Sequence, residues 1–456
     1  MDAQVKSVAI VGGGPVGLAA AAHALERGLA PTVLEAGPEV GHAIRQWSHV
    51  RMFSPWEYNV DKACGRLLQE TGWNLPDPKQ YPTGGELVER YLVPLRERTV
   101  LGERIKTSAR VMGISRLGFD KMKTKGRPGA PFEIRYSNGI EKSLVADAVI
   151  DASGSWFSPN PAGANGLRAV GERDLEDRLF YGMPDVRGKL RGRFVGKAVA
   201  VIGSGHSAIG NLIDLVRLRD EAPDTRVIWI LRGGNPDKAF GGGANDKLTA
   251  RGELGSVFEA YVKSGSLEVV AGFPTTHISR AGNQLRVGAG SACWERQVVV
   301  DELIVSTGFR PDLSMLRELR IALDDTVEAP PVLASLIDPN LHSCGTVRPH
   351  GARELAHPEP DFYIAGMKSY GRAPTFLMLT GYEQVRSIVA HLAGDYQAAE
   401  RTELVLPETG VCNLTAADAE GADCCGGPPK SDADACCAAD EAAKASSESG
   451  CGCSAR

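Results

Sequence analysis

Short apolar runs alternate with glycine-rich breaks along the chain, and one arrangement occurs twice. Residues 5–11 form an apolar run with the length of a buried strand, and an Ala-rich helix is predicted for residues 15–27 after a break of three glycines. The next strand is predicted for residues 32–35. About 190 residues later, a strand, a glycine-containing turn, a helix and a strand are predicted again. This second set comprises residues 197–202, 207–218 and 227–231.

Antiparallel strands and further helices are predicted between and after these two sets. Asn138 and Gly139 separate two strand-like runs, residues 132–136 and 144–150, and indicate a β-hairpin with a tight turn. Thr83 stands three residues before a glutamate, which is the spacing of a capping box at the start of a helix. The remaining predicted elements are two hairpin-like stretches that end in residues 298–306, a strand at residues 361–365 and a helix at residues 375–392.

Composition divides the chain into a neutral body and an acidic tail. The 456 residues are 43% hydrophobic and 23% charged, which is ordinary for a soluble globular protein. Residues 411–456 hold eight acidic and three basic residues, so the tail accounts for the whole net charge of −5. The chain has no basic surplus that would indicate a nucleic-acid partner. It has no apolar run of 18 residues, so no membrane-spanning segment is predicted.

The tail also holds seven of the ten cysteines. It has almost no large apolar residues, so we expect it to be disordered unless a ligand orders it. Adjacent cysteines suit soft ions such as As(III), which favours three sulfur ligands. The alternatives are a redox relay and a neutral extension, while a zinc site is disfavoured because C-x2-C spacing is missing. The predicted metal-binding residues are Cys424, Cys425, Cys436, Cys437, Cys451 and Cys453.

The cysteines of the body indicate a reducing compartment. Cys64, Cys293 and Cys344 lie far apart and do not suggest a disulfide scaffold. Glycines interrupt the N-terminal apolar stretch, which is therefore interpreted as a strand and a helix rather than a signal peptide. We expect a cytoplasmic protein. His350 and His357 follow Cys344, but their spacing fits no standard metal site, and ordinary loop residues are the favoured interpretation.

The first glycine break fits G-x-G-x-x-G, the phosphate-binding pattern of dinucleotide folds. Gly12 permits a tight turn, Gly14 lets the backbone approach a pyrophosphate, and Gly17 lets the helix pack closely on the strand. Pro15 begins the predicted helix, whose positive end would face the pyrophosphate. Glu35 ends the next predicted strand, where a carboxylate can bind ribose hydroxyls. This order of elements favours a dinucleotide site over a glycine-rich turn without a ligand.

The second glycine break, residues 203–208, reads GSGHSA and again lies between a strand and a helix. Gly203, Gly205 and Ser207 are its predicted phosphate-binding residues. No carboxylate ends the following strand, and Arg232 stands there instead. A cation at this point suits a 2′-phosphate and favours NADPH over NADH, whereas the alternative for Arg232 is a solvated surface residue.

Two dinucleotide folds in one chain favour NADPH as hydride donor and FAD as acceptor. FAD is assigned to the first fold, because later segments can complete an N-terminal domain around a tightly bound cofactor. The sequence therefore predicts an α/β protein with two Rossmann-like dinucleotide-binding domains. The predicted boundaries are residues 1–165 and 309–410 for the FAD domain, 185–308 for the inserted NADPH domain and 411–456 for the tail.

Several segments resemble the flavoproteins that have two dinucleotide domains, especially flavin-containing monooxygenases. Residues 151–154 and 306–312 resemble the two linkers between the domains, and residues 361–366 resemble the late strand that closes over the flavin. Residues 41–47 and 81–83 resemble stretches near the flavin. The cofactor contacts that this resemblance implies are Trp47, Gly154, Gly308 and Gly366.

From about residue 5 to residue 412, the chain resembles more closely the monooxygenase-like flavoproteins of bacterial arsenic-resistance gene clusters. The matching segments are residues 53–56, 181–186, 203–208, 368–375 and 406–412. The resemblance implies that NADPH reduces FAD and that O₂ then oxidises a soft nucleophile, such as sulfur, nitrogen or trivalent arsenic, in a small-molecule substrate. The cofactor supplies this chemistry, and no catalytic residue or oligomeric state is identified from the sequence.

Two other functions remain open at this point. A flavin-dependent reductase of disulfides or metal ions would need a cysteine pair near the flavin, which the body lacks and the tail could supply as a redox relay. A non-catalytic metalloid-binding protein on a flavoprotein scaffold is the third hypothesis.

Overall fold

Two five-stranded parallel sheets form the framework of the protein. The computed structural model describes residues 5–241, 249–290, 296–340, 347–374 and 376–404. Within these residues the strands are β1 (Ser7–Val11), β2 (Ala30–Leu34), β3 (Ile105–Lys106), β4 (Arg110–Arg116), β5 (Phe132–Ser137), β6 (Glu141–Ala146), β7 (Ala148–Asp151), β8 (Leu179–Tyr181), β9 (Ala198–Ile202), β10 (Arg226–Ile230), β11 (Glu268–Val270), β12 (Thr275–Ala281), β13 (Gln284–Ala289), β14 (Arg296–Val300), β15 (Glu302–Val305) and β16 (Phe362–Ile364).

Helices connect and cover these strands. Over the same residues they are α1 (Pro15–Glu26), α2 (His42–Arg45), α3 (Trp56–Asn59), α4 (Lys62–Gln69), α5 (Gly84–Leu87), α6 (Val93–Arg98), α7 (Arg191–Phe194), α8 (His206–Glu221), α9 (Thr249–Lys263), α10 (Pro331–Ile337), α11 (Met378–Leu392) and α12 (Tyr396–Glu400). None of the helices in the described part of the chain combines the length and apolarity needed to cross a bilayer.

The first compact unit contains the described residues up to Trp156 and those from Arg310 onward. Its parallel sheet has the order β16-β7-β1-β2-β3. The strand β16 comes from the second of these two chain segments and pairs with β7, so the sheet is completed by a late part of the chain. Helix α1 packs against α11, and an antiparallel sheet of β4, β5 and β6 precedes β7.

The second compact unit contains the described residues from Phe157 to Phe309. Its parallel sheet has the order β11-β10-β9-β15-β8, and helix α8 packs against α9. An antiparallel sheet of β12, β13 and β14 precedes β15, as β4–β6 precede β7 in the first unit. Four strands of each sheet, β7-β1-β2-β3 and β15-β9-β10-β11, therefore follow one order, whereas the fifth strand comes late in the chain in the first unit and early in the second. The predicted α/β class with two Rossmann-like domains is confirmed.

The central strands are buried because both sheet faces are covered. All five residues of β9 are buried, as are four of the five in β1. Their sequences, AVAVI and SVAIV, are continuous apolar runs rather than alternating patterns, as expected for parallel strands between helices. The first glycine of each phosphate-binding motif follows directly after one of these two strands, so both loops leave the carboxyl edge of a rigid sheet.

One predicted strand is wrong. Residues 144–150 were expected to form a single strand of a hairpin, but β6 ends at Ala146 and β7 begins at Ala148 in the parallel sheet. Asp147 causes the separation, since its Oδ2 accepts hydrogen bonds from the backbone N and the Oγ of Ser7, both at 2.7 Å. The chain thereby leaves the hairpin and enters the sheet beside β1.

Two local predictions are confirmed. The hydroxyl of Thr83 accepts from the backbone N of Glu86, whose carboxylate accepts from the backbone N of Thr83, so the capping box is complete. Gly139 has φ +98° in the turn between β5 and β6. The six predicted metal-binding cysteines, the tail, Cys293 and Cys344 lie outside the described residues.

Candidate dinucleotide-binding sites

The phosphate-binding motif at the start of α1 contains two glycines, Gly12 and Gly17, that the fold requires and one, Gly14, that leaves open space. Gly12 has φ +105°, and a Cβ there would lie 2.6 Å from the carbonyl oxygen of Ala152. A Cβ on Gly17 would overlap the carbonyl oxygen of Gly12. A Cβ on Gly14 would meet nothing within 4 Å. Only at Gly14 is the backbone surface open, which is the arrangement that a pyrophosphate needs.

The N-terminal end of α1 is free to face an anion. Gly14 is its N-cap and provides no side-chain hydrogen bond, and Pro15 stands in the first turn. The first turn of α1 has no acidic residue that could act as an internal anion. The N–H groups and the helix dipole at this end therefore favour a bound negative charge.

Glu35 directly follows β2 and joins the glycine loop to the next turn. Its Oε2 accepts a hydrogen bond from the backbone N of Gly13, and its Oε1 accepts one from the backbone N of Gly37, both at 2.6 Å. The residue is 9% exposed. Each carboxylate oxygen can accept a second hydrogen bond. Glu35 can therefore fix the loop and accept hydrogen bonds from two ribose hydroxyls at the same time.

Two further segments of the first unit reach the same edge of the sheet. Residues 152–154 follow β7, and Ala152 lies against Gly12, since a Cβ on Gly12 would be 2.6 Å from its carbonyl oxygen. Gly366, with φ +71°, follows β16, and its backbone N donates to Oε1 of Gln384 at 2.7 Å. A Cβ on Gly366 would lie 3.4 Å from both γ-carbons of Val16 in the first turn of α1. Gly154, with φ +69°, has open space around it.

A buried ion pair lies between these two segments, and the sequence analysis did not predict it. Lys368 Nζ lies 2.7 Å from Asp151 Oδ2, and both side chains are at most 1% exposed. Oδ1 of Asp151 accepts from the N and the Oγ of Ser153 at 3.1 and 2.6 Å. The sequence offers only a lysine between two glycines as a signal, and its partner lies 217 positions away.

Trp47 lies in a small aromatic cluster of the first unit. A Cβ on Gly84, at the start of α5, would lie 2.7 Å from its ring. The ring centroids of Trp47 and Trp156 are 6.3 Å apart. Trp156 was not among the predicted site residues. The contact of Trp47 with a flavin remains a prediction.

The loop between β9 and α8 repeats the geometry of the first loop. Gly203 has φ +136°, and a Cβ there would overlap the carbonyl oxygen of Ser306. Gly205 is the N-cap of α8, has no side-chain cap and would meet nothing within 4 Å if it carried a Cβ. Ser207 lies in the first turn. At the third motif position Ala208 replaces glycine, and its Cβ would be 3.4 Å from a Cβ on Gly203.

The strand next to this loop provides an indole and a guanidinium rather than a carboxylate. Trp229 in β10 donates from Nε1 to the carbonyl oxygen of Gly203 at 2.7 Å. Arg232, two residues after β10, is exposed and donates from Nη1 to the carbonyl oxygen of Ala164 at 3.0 Å. The next two residues are Gly233 and Gly234, which also have open space around them. Donors therefore stand where the first unit has Glu35.

Gly308, next to the last described residue of the second unit, lies where two chain segments of that unit meet. Its φ is +89°, and its carbonyl oxygen accepts from the backbone N of Asn160 at 2.9 Å. Asn160 Nδ2 donates to the carbonyl oxygen of Thr307 at 3.1 Å, and Thr307 Oγ1 donates to that of Asn160 at 2.8 Å. The predicted contact of Gly308 with a cofactor is not tested by this arrangement.

The cysteine and the two histidines of the body that were considered as ligands, as far as the structure describes them, occupy structural positions: Cys64 and His350 are buried, and His357 is partly buried. Cys64 is fully buried, and burial together with the nearby Asp61 raises the pKa of its thiol well above the usual value. Nδ1 of His350 contacts the carbonyl oxygen of Arg348, and its Nε2 contacts Nε2 of Gln384 at 2.8 Å. Burial lowers the pKa of both His350 and His357 to about 4. The described residues contain no cluster of His, Cys, Asp or Glu that could hold a metal ion.

Two Rossmann-like units, each with an open glycine at a helix N-terminus, define an oxidoreductase that uses dinucleotides. The sequence profile of the pyridine nucleotide-disulphide oxidoreductase family matches residues 9–334, and the chain belongs to this family. The predictions of an enzyme and of FAD and a nicotinamide dinucleotide as cofactors agree with this membership. No curated protein matches the chain significantly.

Solved structures of both reductases and oxygenases share the fold. Bacillithiol disulfide reductase Bdr (YpdA) from Bacillus cereus is 19% identical, with a TM-score of 0.61 over 86% of this chain and 99% of that one. The FAD-bound cadaverine monooxygenase DfoA from Erwinia amylovora is 13% identical, with a TM-score of 0.57 over 89% and 99%. A flavin monooxygenase from Stenotrophomonas maltophilia is 20% identical, with a TM-score of 0.52 over 86% and 99%.

Proposed function

We propose that the first unit binds FAD, that the second binds NADPH, and that the protein is a flavin-dependent monooxygenase. The observation that supports this assignment is the difference at the strand ends. Glu35 offers acceptors to ribose hydroxyls in the first unit, whereas Arg232 offers a cation to a 2′-phosphate in the second. The FAD domain would then consist of the first unit's two chain segments, which precede and follow the NADPH domain in the sequence.

The residues of the first unit fit FAD. The open face of Gly14 and the uncapped start of α1 would hold the pyrophosphate, and Glu35 would orient the adenosine ribose. Trp47, Gly154 and Gly366 would complete the site. Bound together, the two cofactors would supply hydride transfer from NADPH to FAD and activation of O₂ by the reduced flavin.

The residues of the second unit fit NADPH. The N–H groups at the start of α8 would hold its pyrophosphate beside Gly205. Trp229 holds the carbonyl of Gly203 on its own side of the loop, so the N–H of the same planar peptide points the opposite way. That N–H belongs to Ser204, and it would add a donor to the phosphate-binding loop. Ser207 and Gly308 would complete the site.

The state of Cys64 favours oxygenation over disulfide reduction. A thiol acts as a nucleophile only when it is accessible and ionised, and Cys64 is fully buried with a raised pKa. It is also the one cysteine within the described residues. The other two cysteines of the body, Cys293 and Cys344, are isolated in sequence. The body therefore offers no cysteine pair by sequence that could exchange with a disulfide.

The substrate that we propose is a small soft nucleophile, with a trivalent arsenical as the first choice and a sulfur or nitrogen compound as the next. The chain's resemblance to flavoproteins of arsenic-resistance clusters supports this choice. The paired cysteines of the tail, such as Cys424 with Cys425, suit As(III) as well. We expect the enzyme to act in the cytoplasm, as a part of metalloid resistance.

A disulfide or metal-ion reductase is the second candidate. The similarity to bacillithiol disulfide reductase and the cysteine pairs of the tail favour it. In this case the tail would relay electrons between the flavin and the acceptor, and O₂ would not be consumed.

Oxygen uptake separates the two candidates. The purified protein should carry a yellow flavin, and NADPH with arsenite or methylarsenite should produce O₂ uptake together with a pentavalent product. Substrate-dependent oxidation of NADPH that continues without O₂ would exclude the oxygenase and support the reductase. A colourless protein that takes up no FAD would exclude both.

Removal of the residues after Gly410 tests the role of the tail. The shortened chain should bind FAD and oxidise NADPH as the full chain does, because residues 1–410 include both glycine loops. Its affinity for As(III), measured by equilibrium dialysis, should fall. An unchanged affinity would show that the tail does not bind the metalloid.

A further inference from the structure

Lys368 and Asp151 form a buried ion pair to which the proposed chemistry assigns no role. Lys368 lies in the turn after β16, and Asp151 is the last residue of β7. Nζ of Lys368 lies 2.7 Å from Oδ2 of Asp151, but Oδ2 has no hydrogen bond of good geometry. Nζ donates to Oγ of Ser153 at 3.1 Å. The contact between Lys368 and Asp151 is therefore mainly electrostatic.

This pair is the only pair of charged side chains in the three backbone segments that meet at the edge of the sheet. These segments are residues 12–17, 151–154 and 366–371, which read GGGPVG, DASG and GMKSYG. The first two segments meet where a Cβ on Gly12 would collide with Ala152. The first and third meet where a Cβ on Gly366 would lie 3.4 Å from Val16.

We propose that Lys368 is a positioning residue of the flavin-nucleotide site, whose buried charge attracts the pyrophosphate of FAD while Asp151 limits that attraction. The proposal rests on the assignment of FAD to the first unit. Lys368 thereby adds a side-chain cation to a loop that otherwise binds phosphate through backbone N–H groups alone.

The sign of each charge predicts opposite effects on affinity. The pyrophosphate is negative in both redox states of FAD, and a buried charge is poorly screened, so its influence extends over several ångströms. Loss of the ammonium in Lys368→Met should weaken FAD binding. Loss of the carboxylate in Asp151→Asn should strengthen it, although both changes disturb the same buried contact and both should destabilise the fold.

The test measures the dissociation constant of FAD from the fluorescence of flavin released when the holoprotein is diluted. Lys368→Met should raise this constant about tenfold, which corresponds to about 1.4 kcal/mol. Lys368→Arg should remain within about threefold of the unchanged protein. Asp151→Asn should lower the constant about threefold at low ionic strength. The double variant, which combines Lys368→Met with Asp151→Asn, should recover most of the loss, because the site is then neutral again.

Arg116→Met is the matched structural control. Arg116 forms a buried ion pair with Glu359, which precedes β16 by three residues, and its Nε lies 2.8 Å from Oε1 of Glu359. Glu359 lies before the amino end of β16, whereas Lys368 lies after its carboxyl end, so the control pair is at the opposite end of the strand. The control should lower the unfolding temperature and leave the FAD dissociation constant within about twofold.

The outcomes distinguish the two proposals. Equal weakening of FAD binding by Lys368→Met and Asp151→Asn would show a structural contact and would overturn the positioning role. If Lys368→Met does not fold, Asp151→Asn decides, and weaker binding there counts against the role. Failure of the unchanged protein to bind any FAD would refute the proposed function itself.

Discussion

The two glycine loops show which parts of a dinucleotide site are required by folding and which select the ligand. In both loops, the first glycine has a positive φ and abuts a carbonyl oxygen, of Ala152 in one unit and of Ser306 in the other. In both, the glycine at the helix N-cap has open space. These two glycine positions are the same in both loops, and the residues after the neighbouring strand differ. A carboxylate follows the neighbouring strand in the first unit, and an arginine follows it in the second.

The difference extends to how each loop is held in place. In the first unit Glu35 accepts the N–H of Gly13, so the side chain that is proposed to orient the adenosine ribose also fixes the loop. In the second unit Trp229 holds the carbonyl of Gly203 from the buried side. Because Trp229 fixes this loop, the position after β10 does not need a carboxylate and can hold the cation of Arg232.

Gly12→Ala should produce the largest effect. A Cβ at φ +105° would lie 2.6 Å from the Ala152 carbonyl oxygen, so the backbone must shift. We expect a loss of about 3 kcal/mol or more in the free energy of unfolding of the FAD-free protein, and no bound flavin. Urea unfolding followed by far-UV circular dichroism measures the first quantity, and flavin absorbance measures the second.

Gly14→Ala is the matched control for this prediction. Its Cβ meets nothing in the protein, so the free energy of unfolding of the FAD-free chain should change by less than about 1 kcal/mol. The methyl group would occupy the space of the pyrophosphate, so FAD should bind at least about tenfold more weakly. Equal stability losses in both variants would show that the two glycines do not have separate roles.

Acid should destabilise the first unit ahead of the second. Burial lowers the pKa of His350 and His357 to about 4, against 6.5 for an exposed histidine. The unfolded chain therefore takes up these two protons at a higher pH than the folded chain. The contribution of these two histidines to the free energy of unfolding is fully present above pH 6.5 and decreases as the pH drops from about 6.5 to about 4. Below that range it changes no further.

The expected loss is roughly 2 to 3 kcal/mol per histidine between pH 6.5 and 4.5, at 1.36 kcal/mol per pKa unit. Denaturant unfolding at several pH values measures it. In His357→Gln, the slope of the unfolding free energy between pH 6 and 5 should decrease by about one proton, or about 1.4 kcal/mol per pH unit. An unchanged slope would contradict the assignment of this acid sensitivity to His357.

Arg232→Gln should weaken NADPH binding selectively. A charge-assisted hydrogen bond to a phosphate contributes about 1.5–3 kcal/mol, so KM for NADPH should rise about 10- to 100-fold while KM for NADH stays nearly constant. Steady-state kinetics with both coenzymes measures this. Arg226→Gln removes another exposed arginine at the opposite end of β10 and should change neither value. A parallel rise for NADH would show that Arg232 does not recognise the 2′-phosphate.

Local sequence signals were sufficient for both loops and for the order of their elements. Gly12, Glu35, Gly203 and Arg232 stand within one strand–helix–strand set each, where spacing along the chain determines their positions in space. The class of fold follows from these sets, because two strands joined by a helix pair in parallel, and continuous apolar strands are typical of a parallel sheet covered on both faces.

Contacts between distant segments could not be predicted in this way. The pair of Lys368 with Asp151 depends on β16 joining β7 after an insertion of more than 150 residues. The single strand predicted for residues 144–150 was wrong because the apolar pattern does not reveal where the chain passes from one sheet to another. The hydrogen bonds between Asp147 and Ser7 fix that point. Such pairings are set by topology rather than by local pattern.

Trp229→Phe should produce the smallest of the expected effects and the most specific one. The substitution keeps an aromatic ring at the edge of Phe258, whose centroid is 4.8 Å from that of Trp229, but removes the hydrogen bond to the carbonyl of Gly203. One neutral hydrogen bond contributes about 0.5–1.5 kcal/mol, so NADPH should bind about two- to tenfold more weakly. FAD content should not change, because the loop of the first unit is held by Glu35.

Phe258→Leu separates the hydrogen bond of Trp229 from its packing. This variant disturbs the same aromatic pair but leaves the indole N–H and the carbonyl of Gly203 in place, so it should lower the unfolding temperature while NADPH affinity is retained. Isothermal titration with NADP⁺ measures both variants. If Phe258→Leu weakens binding as much as Trp229→Phe, then packing of the aromatic pair, and not the hydrogen bond of Trp229, orders the second loop. The proposed difference between Trp229 and Glu35 as supports of the two loops would then be wrong.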